Sequence, residues 1–145
     1  MTSPDPRPNV RQAVPFFRVQ DIERSLRFYE DGLGFRMTKS WRPEGKLRWC
    51  WLELDDVVVM LQEFWKEGSH ENVPLGGVGV GVSIAFTCED AVALWRDFRS
   101  RGVEAKRPFV GNGMWVTEVS DPDGYALTFE SRTDAPEESE LPDES

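Results

Sequence analysis

The chain has one histidine and two cysteines among its 145 residues. A single imidazole cannot fill a multi-histidine metal set. It also weighs against Ser-His-Asp and Cys-His catalysis. His70 lies in the loop sequence GSHEN, where a solvated histidine is the ordinary state. With Glu63, Glu67 or Glu71 it would make at most a weak surface metal site. Cys50 and Cys88 fall in predicted strands far apart in sequence and read as buried free thiols, which sets the cytoplasm as the expected compartment. No apolar run approaches the length of a membrane span. The first residues, MTSPDPRPNVRQA, lack the basic start and apolar segment of a secretory signal. Basic charge is not in excess either. The net charge is −9, which argues against nucleic acid as a partner.

What is present is ordinary for a globular protein, with 39% hydrophobic and 30% charged residues. The length suits one domain or two small fused modules. Much of the acidity sits in the last residues, SRTDAPEESELPDES, which hold six acids and one arginine. Residues 132–145 have no hydrophobic pattern and are expected to be a disordered tail, as residues 1–12 are expected to be a loose arm.

The central stretch, LRWCWLELDDVVVMLQEF, reads as a β-hairpin about Asp55-Asp56. A two-residue loop sets Leu54 opposite Val57, Glu53 opposite Val58, Trp51 opposite Met60 and Trp49 opposite Gln62. Alternation then sorts the side chains. Cys50, Leu52, Leu54, Val57, Val59 and Leu61 form an apolar face that needs a helix over it. Trp49, Trp51, Glu53, Val58, Met60 and Gln62 form a face suited to a concave ligand surface.

Around the hairpin a pattern repeats. A strand over 13–19 leads to a helix capped by Asp21, with Ile22, Leu26, Tyr29 and Leu33 as its stripe and Gly34 as its end. A strand over 80–87 leads to a helix capped by Asp90, with Val92, Trp95 and Phe98 as its stripe and Gly102 as its end. Short strands are expected at 35–39 and 103–106, and a second hairpin over 114–119 and 125–130. Asp21 and Asp90, like Gly34 and Gly102, are offset by about 68 residues, which reads as an internal duplication. The expected fold is α+β, with two tandem βαβββ modules (13–65 and 80–131, linker 66–79) forming curved mixed sheets around a cleft, helices outside.

The inward faces supply the candidate ligand-binding residues. They are Phe16 and Arg18 on the first strand, and Trp49, Trp51, Glu53, Met60 and Gln62 on the hairpin. Ser83 follows on the second module's first strand, with Thr128 and Glu130 on its last. Two registers are open for the second hairpin. Pairing Ser120 with Tyr125 turns Trp115 inward, whereas a bulge turns Glu118 inward and Trp115 outward. Asp121 and Asp123, in DPDG, read as turn residues and not as a catalytic pair.

RVQDIERSLRFYEDGLGF and DPDGYALTFES resemble the first strand–helix and the final hairpin of the vicinal oxygen chelate superfamily of glyoxalase I, bleomycin-resistance proteins and extradiol dioxygenases. The resemblance implies homodimers with pockets near the subunit interface or within paired modules. It also implies, in metal-dependent members, four inward metal ligands, usually His, Glu or Gln. The positions here that resemble them are Val14, Met60, Ser83 and Thr128, poor ligands for a divalent ion. The resemblance places Arg18 where glyoxalase I has an arginine that helps bind the glutathione carboxylate. The resulting expectation is a protein without metal, cofactor or catalytic residue, sequestering an aromatic and possibly cationic drug as bleomycin-resistance proteins do, cytoplasmic and dimeric. The alternative is a lyase, isomerase or dioxygenase with a displaced or non-standard metal site, drawing on Glu53, Glu118, Glu130 and His70.

Overall fold

The computed structural model of the chain describes residues 8–66, 74 and 76–142. The first module runs β1 (Phe16–Val19), α1 (Ile22–Arg27) with a continuing π-helical turn (Phe28–Gly32), β2 (Arg36–Trp41), β3 (Trp49–Leu54) and β4 (Val57–Glu63). The second runs β5 (Ser83–Thr87), α2 (Ala91–Ser100), β6 (Phe109–Gly111), β7 (Met114–Ser120) and β8 (Ala126–Arg132). Each module is a four-stranded mixed sheet, ordered β1-β4-β3-β2 and β5-β8-β7-β6. In each, the first strand lies parallel to the last and the other neighbours are antiparallel.

The duplication extends to how each helix is started. Asp21 Oδ1 accepts from the Arg24 N–H and Asp90 Oδ1 from the Ala93 N–H, the ordinary N-cap geometry. A second acceptor comes from the end of each module's last strand. Glu63 Oε2 takes the Ile22 N–H at 3.0 Å, and Ser131 Oγ takes the Ala91 N–H at 2.9 Å. Each helix is thereby pinned to the sheet it covers. Beneath α1 lie Ile22, Leu26, Tyr29 and Leu33, all buried, and beneath α2 lie Ala91, Trp95 and Phe98. Val92 is only half-buried.

The helix-bearing faces of the two modules share one core. Phe17 stacks on Tyr125 at 4.4 Å. The turn between β7 and β8 plugs into α1: Tyr29 Oη donates to Asp121 Oδ2 at 2.9 Å, and Asp123 Oδ1 accepts from the Gln20 N–H at 3.2 Å. Asp121 and Asp123 thus hold the modules together.

Three expectations need correction. The segment 103–106 forms only a single bridge, Ala105 to Val119, and the second strand of the second module is β6 instead. It joins β7 through Asn112 and Gly113, both at positive φ (54° and 74°), a hairpin geometry that Asn-Gly favours. The tail is not loose over its described part. Val110 and Glu138–Ser139 exchange backbone hydrogen bonds, the Leu141 N–H reaches the Pro108 carbonyl, and the Glu137 carboxylate accepts from the Asn112 and Gly113 N–H groups. The hydrophobic pattern is weak there because the backbone and one carboxylate, not an apolar stripe, make the attachment. Finally, Cys88 is half-exposed, while Cys50 is buried as expected; both are free thiols. Burial pushes the Cys50 thiol up to about 12, which keeps it protonated and inert.

Candidate functional site

The face of each sheet turned away from its helix is open. On the first module the hairpin register is the expected one, with Leu54 opposite Val57, Glu53 opposite Val58, Trp51 opposite Met60 and Trp49 opposite Gln62. The turn is closed by Asp55 at a φ of 49°. Parallel pairing of β1 with β4 adds Phe16 beside Met60 and Arg18 beside Gln62. Two rows therefore cross the sheet: Phe16–Met60–Trp51–Lys39 and Arg18–Gln62–Trp49–Trp41. All seven residues expected on this face are there, and Phe16 is 41% exposed.

Lys39 and Trp41 escaped the sequence reading. The register of β2 against β3 slips between Met37 and Lys39, so that Met37 opposes Leu52 and Lys39 opposes Trp51. This bulge at Thr38 puts Lys39 and Trp41 on the open face, whereas regular alternation from Arg36 would have put them on the other. A bulge leaves no mark in the alternation of residue types, so no sequence signal was available. The Lys39 ammonium sits 4.7 Å over the Trp51 ring.

On the second module Ser83 and Thr87 are exposed, while Thr128 and Glu130 are half-buried. Here the register corrects Trp115. Ser120 pairs with Ala126, not Tyr125, so that Glu118 lies opposite Thr128 and Trp115 opposite Ser131. Trp115 shares its face with Thr117, whose Oγ1 donates to the Ala91 carbonyl of α2. The reason is the longer turn. Asp121 Oδ1 accepts from both the Asp123 and Tyr125 N–H groups at 2.9 Å and wraps the chain around its own carboxylate. The open-face register of Glu118 needs no bulge. Glu118 bonds Lys106 at 2.8 Å, which lifts the ammonium's affinity for its proton. It lies in a cleft of about 480 Å³ with Glu104, Lys106, Ser120 and Ala126. Glu118 and Glu130 are diagonal neighbours on adjacent strands, with Cα atoms about 7–8 Å apart.

A metal of the family kind does not fit these residues. Val14 and Met60 offer no hard donor, Ser83 and Thr128 only neutral hydroxyls. No group of three or more His, Cys, Asp or Glu side chains converges among the described residues. His70, Glu67 and Glu71 lie outside the described residues. Glu63, the remaining member of that loop set, is occupied: its Oε1 meets Lys46 at 2.9 Å and Arg48 at 3.2 Å.

The family model described as Glyoxalase/Bleomycin resistance protein/Dioxygenase superfamily matches residues 11–129. The chain belongs to this superfamily. Two relatives sharpen that placement. A lactoylglutathione lyase of Haemophilus influenzae is 31% identical over 121 residues, 77% of this chain and 85% of that protein. The lactoylglutathione lyase of Salmonella typhimurium is 29% identical over 126 residues, 81% of this chain and 90% of that protein. Among solved structures, a bleomycin-binding protein complexed with bleomycin superposes with a TM-score of 0.65 at 20% identity, over 86% of this chain and all of that one. At that identity the superposition shows the fold and no more.

These relatives overturn the expectation of a metal-free drug-sequestering protein, since the curated chains similar to this superfamily member are named as lyases. A cationic ligand also sits badly with the first module's open face, where Arg18, Arg36 and Lys39 outnumber Glu53. In addition, no helix among the described residues is long and apolar enough to cross a membrane.

Proposed function

We infer that this chain is a lyase or isomerase of its superfamily, acting on an adduct of a small thiol with a dicarbonyl compound, at a site that does not use the usual metal ligands. The observation that carries this reading is the 31% identity to a lactoylglutathione lyase over 85% of that protein. In such an adduct, a hemithioacetal, the hydrogen on the sulfur-bearing carbon moves to the neighbouring carbonyl carbon. The product is a hydroxy thioester, with no oxidant or reductant consumed. The step needs a base that takes a proton at one carbon and returns it at the next. Glu118 and Glu130 are the open-face carboxylates on adjacent strands, and we assign them this work. Arg18, on the first module's face, suits the carboxylate of the thiol.

The two open faces belong to different sheets, and neither covers the other within one chain, because Phe16, Ser83, Ala85 and Thr87 stay exposed. We therefore infer a homodimer in which a second copy closes the site. The test is thioester formation from the glutathione–methylglyoxal adduct, by protein stripped with chelator and then resupplied with zinc, nickel, manganese or ferrous iron. Turnover is expected, with Glu118→Gln or Glu130→Gln lowering kcat by about 10²-fold or more. No thioester under any of these conditions would sink the reading.

A further inference from the structure

The bulge at Thr38 has a chemical result. It brings Lys39 and Trp41 onto a face that already carries Trp49 and Trp51, and it does so at the outer edge of the sheet, on β2. Lys39 stacks over Trp51 at 4.7 Å. Trp41, 47% exposed, meets the Trp65 ring edge-on at 6.5 Å, and the Arg48 guanidinium lies 4.3 Å over that same Trp65 ring. At the far side of the sheet Arg18 lies 5.9 Å from the Phe16 ring. The Lys39 ammonium and the indoles of Trp41, Trp49 and Trp51 therefore adjoin on one strip, with the Arg18 guanidinium at its far side, while Arg48 is tied to Glu63. A planar ring can lie on such a strip, and a negative charge on that ring meets ammonium and guanidinium groups. Glu53 stands on the neighbouring row, opposite Arg36 and diagonal to Lys39, so that face holds one acid against Arg18, Arg36 and Lys39.

We propose that Lys39, Trp41, Trp49 and Trp51 form a subsite for a planar aromatic group that carries or adjoins a carboxylate. For its role in turnover the inference rests on the lyase reading, and there it means that adducts of aryl dicarbonyls are preferred over those of methylglyoxal. As a binding site it stands apart from turnover. Bulges recur beside active sites, where they re-aim side chains. Here the re-aimed pair is one cation and one indole, the two groups that such a ligand needs.

Isothermal titration of the full chain with 2-naphthoate and with 2-naphthylmethylammonium decides it, since the two probes share a ring and differ in charge. The naphthoate is expected to bind about tenfold more tightly. Lys39→Ala, an exposed position on an edge strand, is expected to cut that preference by about threefold or more, and Trp41→Leu to weaken both probes together. Equal or reversed affinities, or no binding of either, overturn the proposal. So does an unchanged preference in Lys39→Ala. Naphthoate binding without thioester formation would remove the lyase reading alone. Thioester formation without the anion preference would remove the subsite alone.

Discussion

Glu63 shows how one side chain can tie an entire module together. It is 4% exposed, yet its carboxylate accepts from the Ile22 N–H and meets both Lys46 and Arg48. Burial pushes its carboxyl up, while the Ile22 N–H and Lys46 pull it down. The balance lies below the ordinary value of 4.5. A carboxylate whose affinity for protons falls on folding adds stability above its unfolded pKa, and this is lost as pH drops through the lower folded value. Glu63→Gln is therefore expected to cost about 1–3 kcal/mol at pH 7 and to flatten the loss of Tm below pH 4.5. Thermal melts from pH 7 to 3 check this, and an acid slope equal to that of the unaltered protein would contradict it. Asp121 acts with the opposite sign. Burial raises its pKa above 3.8 despite the Tyr125 N–H and Tyr29 hydroxyl, so its contribution is present at low pH and fades as pH rises. Neither role was legible from residue type. Asp121 reads as a turn former, which it is, but its burial against Tyr29 depends on the other module.

The two hairpins explain why one register was legible and the other was not. In β3–β4 the residues alternate strictly between apolar and mixed, so a slip of one residue would bury Trp49, Glu53 and Gln62 beneath a helix. In β7–β8, Val116, Leu127 and Phe129 pull toward the core while Glu118 resists. The deciding feature is the extra turn residue that the Asp121 carboxylate stabilises. β6 was missed although Asn112-Gly113 marks its turn, because three residues are too few to show alternation. Gly113→Ala at a φ of 74° is expected to cost about 1–2 kcal/mol. Removal of 133–145 is expected to do more, because it uncovers the β6 edge that the tail covers with Ser139, Glu138 and Leu141. An open edge invites pairing with another chain. The truncated chain should melt lower, exchange its Val110 amide faster and aggregate sooner on heating. A Val110 amide protected equally with and without the tail would refute the role given to it.

Taken entire, the chain places its chemistry on two surfaces that it does not itself bring together. The helix-bearing faces have joined, through Phe17, Tyr29, Phe86, Tyr125 and Phe129, and the open faces remain outside that core. One carries Arg18, Lys39 and exposed aromatic rings, the other Glu118 and Glu130 among small residues. A two-fold pair can set the first face of each copy against the second face of the other, so each contact occurs twice. Opposite charge favours that arrangement over like against like. A stable pair of this kind buries about 1,200–2,000 Å² in total, and Phe16 and Phe109, each 41% exposed, are rings that such an interface would cover. The expected result in sedimentation velocity at micromolar concentration is a dimer that weakens as salt rises, since part of the attraction is between partly exposed charges. Phe16→Glu adds an acid to a position already open to water, so the fold should persist by circular dichroism while the dimer is lost. Because Glu118 and Glu130 would then no longer face Arg18, thioester formation should fall with the dimer. A monomeric chain with full activity would show that one copy holds a complete site, and it would remove the second copy from the proposal.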